Sequence, residues 1–268
     1  MMEDTSWRED IASARWYHSI ELPNGILTPG LYDLTSAVPH SLLPDSLRGR
    51  RCLDVGTHDG FWAFEMEARG ADEVVAIDLN DSAQFQFRHP VPPVDLIQQH
   101  IAMRTHAFEI AHAARRSQVR PESISVYDLD VARLGTFDFA FIGTLLHHLR
   151  DPVGALLAIR RVVTGELVVN GVFSISKSIL FPRTPVAELY PSALPSFWNI
   201  PNLVALHSQL NAAGWEIEQK GRPYLQRYGA GWTRPSLNLR PRGWSTLLQN
   251  VVLQFGIPHC PLRARPAG

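Results

Sequence analysis

Short apolar runs alternate with helically spaced apolar residues through the central two thirds of the chain. The apolar runs predict strands over residues 50–55, 73–77, 123–127, 137–142, 166–173 and 215–219. The helical spacing predicts helices over residues 61–69, 94–116, 152–163 and 203–213. This alternation is typical of βα units around a parallel sheet. We therefore predict an α/β fold with a doubly wound, mostly parallel sheet.

Long segments outside this alternation lie at both ends of the chain and near its middle. Residues 1–48 are rich in Pro, Gly and aromatic residues, and residues 174–202 hold five prolines. Long loops on such sheets often form binding walls or lids. We predict a lid or cap segment at 1–48, a sheet core at 49–220, and an insertion with a closing strand at 221–268.

The composition excludes several classes of protein. The chain has 268 residues, of which 45% are hydrophobic and 19% charged, so it is not disordered throughout. No run of about 18 apolar residues occurs and residues 1–10 are polar, so we expect neither a membrane helix nor a signal peptide. Cys52 and Cys260 form no disulfide framework and no metal-binding spacing. We expect a cytoplasmic protein without a metal.

The arginines are concentrated at the C-terminal end. Residues 221–268 contain seven Arg and no Asp or Glu, while the whole chain has a formal net charge of −1, so the rest carries −8. This asymmetry is compatible with an anionic partner. It is equally compatible with arginine stems that cover apolar surface and pair with the acidic body. An apolar helix predicted at 244–255 would suit a homodimer contact.

Three carboxylates stand where predicted strands end. Asp54 precedes a glycine turn, DVGTHDG, and Asp78 and Asp128 end the next two strands. In an open parallel sheet, ligands bind at the carboxyl ends of the strands. The glycines let the backbone approach the ligand, and a carboxylate at Asp78 suits ribose hydroxyls. The turn lacks the GxGxxG pattern of dinucleotide enzymes.

These segments resemble a known family. LDVGTHDGFW and VVAIDLND are similar to motifs I and II of class I S-adenosylmethionine-dependent methyltransferases, and SVYDLD and FIGTLLHHLRDP resemble two later motifs. WYHSIELPNGILTPG further resembles a group related to tRNA wobble-uridine carboxymethyl- and methyltransferases. The resemblance covers about residues 50–220. It implies a Rossmann-like seven-stranded sheet of order 3-2-1-4-5-7-6, with S-adenosylmethionine as cofactor and S-adenosylhomocysteine as product.

The resemblance also implies a set of cofactor-binding residues. It assigns the methionine tail to the glycine turn, the ribose to motif II, the adenine to the third strand end and the sulfonium to the fourth. The residues concerned are Tyr17, Asp54, Gly56, Thr57, Gly60, Asp78, Leu79, Asp128, Leu129, Gly143 and Thr144. His58 departs from the family pattern, which has glycine there, and its Cβ forbids the closest backbone approach.

Candidate catalytic residues are histidines near this site. His has the right pKa to accept a proton from an acceptor hydroxyl. His147 and His148 follow the fourth strand, and at most one of two adjacent residues faces the site. We choose His147, because the resemblance places His148 at a position that many relatives fill with His whatever their substrate. His18 is the second candidate, in a segment that the resemblance places over the cofactor mouth. We expect acceptor contacts from Trp16, Tyr190, Trp198 and Tyr228. For each residue a packing or capping role remains the alternative.

Three functions follow from these observations. The first is methylation of a small aromatic or hydroxylated, possibly anionic, secondary metabolite. The second is modification of the tRNA wobble uridine, for which the arginines and aromatics after residue 220 would stack and hold RNA. The third is a protein that binds the cofactor or a partner without turnover.

Overall fold

The structure is a computed structural model that describes residues 9–189, 196–233 and 251–268. The strands are β1 (Glu21–Leu22), β2 (Ile26–Leu27), β3 (Tyr32–Asp33), β4 (Arg51–Val55), β5 (Glu73–Asp78), β6 (Arg120–Ser123), β7 (Phe137–Ile142), β8 (Val163–Val172), β9 (Ala187–Leu189), β10 (Asn199–Pro201), β11 (Trp215–Lys220), β12 (Tyr224–Tyr228) and β13 (Ile257–Pro266). The helices are α1 (Phe61–Ala68), α2 (Val94–Arg115), α3 (Val131–Leu134), α4 (Pro152–Val162), α5 (Ile175–Leu180) and α6 (Leu203–Ala212).

The central sheet has the expected topology. Strands β6, β5, β4, β7 and β8 are parallel neighbours in that order, and β13 and β11 follow as antiparallel strands. Numbered along the chain, these seven strands give the order 3-2-1-4-5-7-6. The prediction of a doubly wound, mostly parallel α/β fold is confirmed.

Two short strands that the sequence did not predict extend this sheet. The ten-residue strand β13 pairs with β11 through residues 262–266 and with β12 through residues 257–259, so one long strand serves two partners along the same edge. Strand β12 in turn pairs with β3 from the N-terminal segment. Within the described residues the main sheet therefore has nine strands, and both flanking segments join it.

The third strand lies three residues earlier than predicted. Its pairing with β5 ends at Ser123, and a 3-10 turn at Val126–Asp128 follows, in which the Ser125 hydroxyl accepts a hydrogen bond from the Tyr127 N–H. Ile124 and Val126 follow the strand but are also buried. The alternation of apolar and polar residues over 123–127 therefore resembled a strand. Asp128 therefore does not end a strand, which corrects the prediction.

Each face of the sheet is covered by helices, as the strand residues require. Alternate residues of β4, β5 and β7 point to opposite faces, and both faces are buried, so apolar residues fill most positions of these strands, with Asp54 as a buried exception. Helices α4 and α6 contribute to the core on one face, and α1, α2 and the N-terminal segment contribute to the core on the other. No helix in the described ranges is long and apolar enough to cross a membrane.

We predict that shortening Leu262 at the centre of β13 destabilises the whole fold. Its side chain is 0% exposed, and the residue pairs with Val169 of β8 and Lys220 of β11. The cavity left by Leu262→Ala should lower the free energy of unfolding by about 2–5 kcal/mol. Leu189→Ala, at a side chain 74% exposed, should change it by less than about 0.5 kcal/mol. Urea unfolding followed by circular dichroism measures both, and equal losses would contradict the prediction.

Candidate functional site

A cavity of about 510 Å³ opens at the carboxyl ends of β4, β5 and β7. Gly56, Asp78 and Gly143 stand at these three strand ends and line it. The remaining walls come from the N-terminal segment, residues 84–87, helix α2 and residues around 196–197. The volume lies within the range of about 300–1,000 Å³ that small-molecule sites occupy.

Some of the predicted site residues line the cavity and others do not. The predicted residues that line it are Tyr17, His18, Gly56, Asp78, Leu79, Gly143 and Thr144. The described predicted residues that do not line it are Trp16, Asp54, Thr57, Gly60, Asp128, Leu129, His147, Trp198 and Tyr228. Tyr190 lies outside the described residues, as does most of the helix predicted at 244–255.

The glycine turn forms the floor of the cavity. Gly56 has φ +78°, and a Cβ there would lie 3.2 Å from the Leu145 side chain. Gly60 has φ +96°, but a Cβ there would lie 2.4 Å from the Phe64 ring, away from the cavity. Gly56 therefore gives a ligand access to the backbone, whereas Gly60 allows helix α1 to pack.

Two polar groups beneath the turn are buried without hydrogen bonds to the described residues. They are Oδ2 of Asp54 and Oγ1 of Thr57. Burial raises the pKa of Asp54 to about 7, although the nearby Thr57 hydroxyl and the His18 ring oppose the increase. Both groups lie outside the lining of the cavity, so they belong to the protein beneath its floor.

The Asp78 carboxylate is largely occupied by the protein. It accepts hydrogen bonds from the N–H groups of His58 (2.8 Å) and Leu79 (2.7 Å) and from the Arg104 guanidinium (2.8 Å). A carboxylate has about four acceptor positions, so about one remains on Oδ2. Arg104, which is 5% exposed, was not among the predicted site residues. The sequence feature that could have identified Arg104 is its position seven residues after Ile97, which places a charged residue on the apolar face of α2.

The segment after β6 contacts the cavity earlier than the resemblance implied. Residues 124–127 line it, whereas Asp128 is exposed and Leu129 packs in the core. The strand ends at Ser123, so the loop reaches the cavity before Asp128. The prediction that Asp128 and Leu129 face the cavity is therefore corrected, because residues 124–127 do so instead.

Asp59 attaches the N-terminal segment to the glycine turn. Its fully buried carboxylate accepts hydrogen bonds from the backbone N–H groups of Tyr17 and His18, both 2.8 Å, and from Nδ1 of His18. Burial alone would raise the pKa of Asp59, but the His18 ring and these hydrogen bonds hold it at about 2. The carboxylate is therefore ionised at neutral pH.

Trp16, next to this clamp, is not an acceptor contact. It is buried in the core, and its indole N–H donates to the Ile11 carbonyl at 3.0 Å. The clamp itself turns Tyr17 and His18 toward the cavity. The prediction for Trp16 is corrected because a local hydrogen bond holds its ring elsewhere.

His58 forms part of the cavity wall. Its backbone is left-handed, with φ +53°, a conformation that glycine adopts more readily than other residues. Its ring stacks on Tyr17 at 4.2 Å and meets the ring of His100 edge-on at 5.7 Å. Burial holds the pKa of His58 well below its ordinary value, so the ring is uncharged.

The two adjacent histidines face different spaces. His148 lines the large cavity, and its Nδ1 donates to the Ser196 carbonyl at 3.0 Å, while burial lowers its pKa to about 4. His147 lines a separate, smaller cavity. The choice of His147 as the histidine that faces the large cavity is therefore corrected.

The C-terminal strand β13 fixes the hydroxyl of Thr144. Nδ1 of His259 donates to the Ile257 carbonyl at 2.9 Å, which leaves Nε2 to accept from the Thr144 hydroxyl at 3.1 Å. Burial lowers the pKa of His259 to about 4, so this arrangement persists at neutral pH. Thr144 therefore presents acceptor lone pairs to the cavity.

The other predicted aromatic contacts have structural partners. The Trp198 indole donates to the Gln86 carbonyl at 2.9 Å, and the Tyr228 hydroxyl donates to the Leu253 carbonyl at 2.7 Å. Aromatic side chains that line the cavity include Phe85, Phe87 and Phe197. Among the described residues, no cluster of His, Cys, Asp or Glu is suited to a metal ion.

A family profile described as a methyltransferase domain matches residues 31–220. The chain belongs to the methyltransferase-domain family. The predicted relationship to methyltransferases is confirmed at the level of this domain family. The tRNA U34 carboxymethyltransferase of Azotobacter vinelandii is 29% identical over 178 residues, which cover 63% of this chain and 46% of that protein. The same enzyme of Pseudomonas aeruginosa strain LESB58 is 28% identical over 175 residues, with the same coverage. The chain thus spans about half the length of these curated relatives.

Solved structures support the fold. The N-terminal domain of EvdMO1, crystallised with S-adenosylhomocysteine and D-fucose, has a TM-score of 0.54 at 16% identity and covers 99% of this chain and 97% of its own. The [4+2]-cyclase SpnF has a TM-score of 0.53 at 18% identity and covers 98% of this chain and 93% of its own. At these identities the similarity shows the Rossmann-like architecture alone.

The buried Asp54 predicts a pH dependence of stability. Its pKa in the folded protein is about 7, above the ordinary value near 3.8. Its contribution to stability is present below about pH 4 and is lost as the pH rises toward 7. Asp54→Asn should remove this decrease, so the variant should gain stability relative to wild type between pH 4 and pH 8. Urea unfolding across this range tests it, with the exposed Asp45→Asn as control; parallel curves for wild type and Asp54→Asn would contradict it.

Proposed function

We propose that this methyltransferase modifies a hydroxyl of a small aromatic or hydroxylated metabolite, with His18 accepting the proton. The observation that carries the proposal is the His18–Asp59 pair on the wall of the cavity. In the neutral ring, Nδ1–H of His18 donates to Asp59 and Nε2 carries the lone pair. A carboxylate that holds an imidazole in this tautomer is a recurrent arrangement for a general base.

The cofactor is expected on the side of the cavity formed by the glycine turn. Gly56 would let the backbone approach its amino acid part, Asp78 would accept a hydrogen bond from the ribose through Oδ2, and residues 124–127 would flank the adenine. Gly56 and Asp78, which line the cavity at two strand ends, support a polar ligand group on this side. Bound S-adenosylmethionine supplies an electrophilic methyl group on its sulfonium.

The protein's own residues would align and isolate the acceptor. The Asp59 clamp holds Tyr17 and His18 at the cavity, which orients the base and excludes water. A positioned base typically contributes about 10²–10⁴-fold to the rate. An electron-rich carbon, as in a phenol or enol, would use the same base.

The names of the sequence relatives favour modification of tRNA as a second candidate function. The described part of the arginine-rich tail gives this candidate less support. Arg263 donates to the Leu42 carbonyl at 2.7 Å, and Arg265 pairs with Glu216 and Glu218 at 3.2 Å each. Two of the seven arginines thus bind the protein itself.

Calorimetric titration should separate the two candidate functions. We expect S-adenosylhomocysteine to bind with a micromolar dissociation constant and total tRNA to show no tight binding at low or high salt. Tight tRNA binding that weakens steeply with salt would favour the tRNA function, because phosphate contacts release counterions. If S-adenosylhomocysteine does not bind, the cofactor site is wrong.

His18→Gln should lower kcat by about 10²–10⁴-fold without a comparable change in the S-adenosylhomocysteine dissociation constant. Asp59→Asn should have a similar effect, because an amide nitrogen opposite Nδ1 would favour the tautomer that protonates Nε2. Formation of S-adenosylhomocysteine in a screen of small hydroxylated acceptors measures both, with the exposed His40→Gln as control. An unchanged kcat in His18→Gln would exclude His18 as the base.

A further inference from the structure

A second cavity of about 60 Å³ lies beside the large one. We call it the side pocket. Its apolar walls are formed by Val172 and Phe173 at the end of β8, Ile200 of β10 and Ile257 at the start of β13, among others. Phe197 lines both cavities, and its ring centroid lies 4.7 Å from those of His147 and His148. One aromatic ring therefore separates the two spaces at this point.

Among the described residues that line the side pocket, one polar side chain lacks a hydrogen-bond partner for its ring. The hydroxyls of Ser174 and Ser176 bond to each other at 3.2 Å, and Ser174 also caps helix α5. The ring of His147 differs, since neither of its nitrogens has a hydrogen-bond partner among the described residues. His147 is only 5% exposed, and its carbonyl accepts from the Trp198 N–H at 2.9 Å, which holds the backbone in place.

The described residues that line the side pocket carry no charge. None of them is Asp, Glu, Lys or Arg. Burial, with His148 and His259 nearby, holds the pKa of His147 well below its ordinary value. At neutral pH the imidazole therefore offers one donor and one acceptor without a positive charge. A carboxylate or phosphate would lose its hydration here without gaining an opposite charge.

We propose that the side pocket binds the apolar end of the methyl acceptor and that His147 hydrogen-bonds a neutral hydroxyl carried by that end. The volume has room for about four to six water-sized groups, which fits a short branched aliphatic group or one edge of a ring. The proposal rests on the proposed function and narrows its acceptor class to neutral molecules. It gives His147 a binding role, separate from the base role of His18.

Two probes with the same carbon skeleton test the chemistry of the side pocket. Isobutanol carries a neutral hydroxyl and isobutyrate a carboxylate. We expect isobutanol, with or without S-adenosylhomocysteine, to shift the δ1-methyl NMR signals of Ile200 and Ile257 more than those of Ile77 and Ile97, which line the large cavity. Isobutyrate should leave all four signals nearly unchanged. Equal binding of both probes, no binding of isobutanol, or shifts confined to the large cavity would overturn the proposal.

Matched variants locate the binding. Ile200→Phe should fill the side pocket and abolish the isobutanol shift of Ile257, whereas Ile200→Val keeps the space and should retain it. His147→Asn should weaken isobutanol binding about 5–10-fold, the amount expected for one hydrogen bond of about 1 kcal/mol. A normal circular dichroism spectrum confirms folding in each case. Unchanged affinity in both Ile200→Phe and His147→Asn would refute the assignment.

The titration with S-adenosylhomocysteine distinguishes the two proposals. If S-adenosylhomocysteine fails to bind while isobutanol still reaches Ile200 and Ile257, the proposed function fails and the side pocket remains. If S-adenosylhomocysteine binds and isobutanol does not, the proposed function stands and the side-pocket assignment fails.

Discussion

The buried carboxylate of Asp59 joins the two parts of the chain on which the cavity depends. A charge without access to solvent must be satisfied inside the protein. Asp59 meets this requirement with two backbone N–H groups and the His18 ring, enough to hold its pKa at about 2 despite complete burial. Because these donors belong to residues 17 and 18, the N-terminal segment is fixed over the glycine turn. The orientation of His18 follows from the same contact.

From this clamp a continuous set of contacts crosses the side of the cavity where the cofactor is proposed to bind. Tyr17 stacks on His58, the His58 N–H donates to Asp78, and Asp78 pairs with Arg104 of helix α2. On the opposite side, His259 of the closing strand fixes the Thr144 hydroxyl. The segments that flank the sheet core at both ends of the chain therefore each supply a group that orients a cavity residue.

Charge is distributed unevenly over the candidate site. Asp59, Asp78 and Arg104 lie along the glycine turn and helix α2. His147 and His148 lie toward the side pocket, where burial keeps both rings uncharged. The charged side suits a zwitterionic, sulfonium-bearing cofactor, and the uncharged side suits a neutral acceptor. This division connects the proposed function with the inference about the side pocket.

Hydrophobic periodicity was enough to predict four of the five parallel strands and the helices between them, because each depends on local sequence and on burial of both sheet faces, whereas it misplaced β6. Strand β7 begins and ends where predicted, and β4 and β5 differ by one residue. The motifs led to the family because motif residues keep their spacing. The tertiary structure alone decided which of His147 and His148 faces the large cavity, since ring direction depends on packing against Phe197. It also decided the places of Trp16, Trp198 and Tyr228, whose polar atoms donate to carbonyl groups that the sequence pattern does not bring together. The contacts of Asp59 and His259 likewise join residues 41 and 115 positions apart, a separation at which periodicity carries no information.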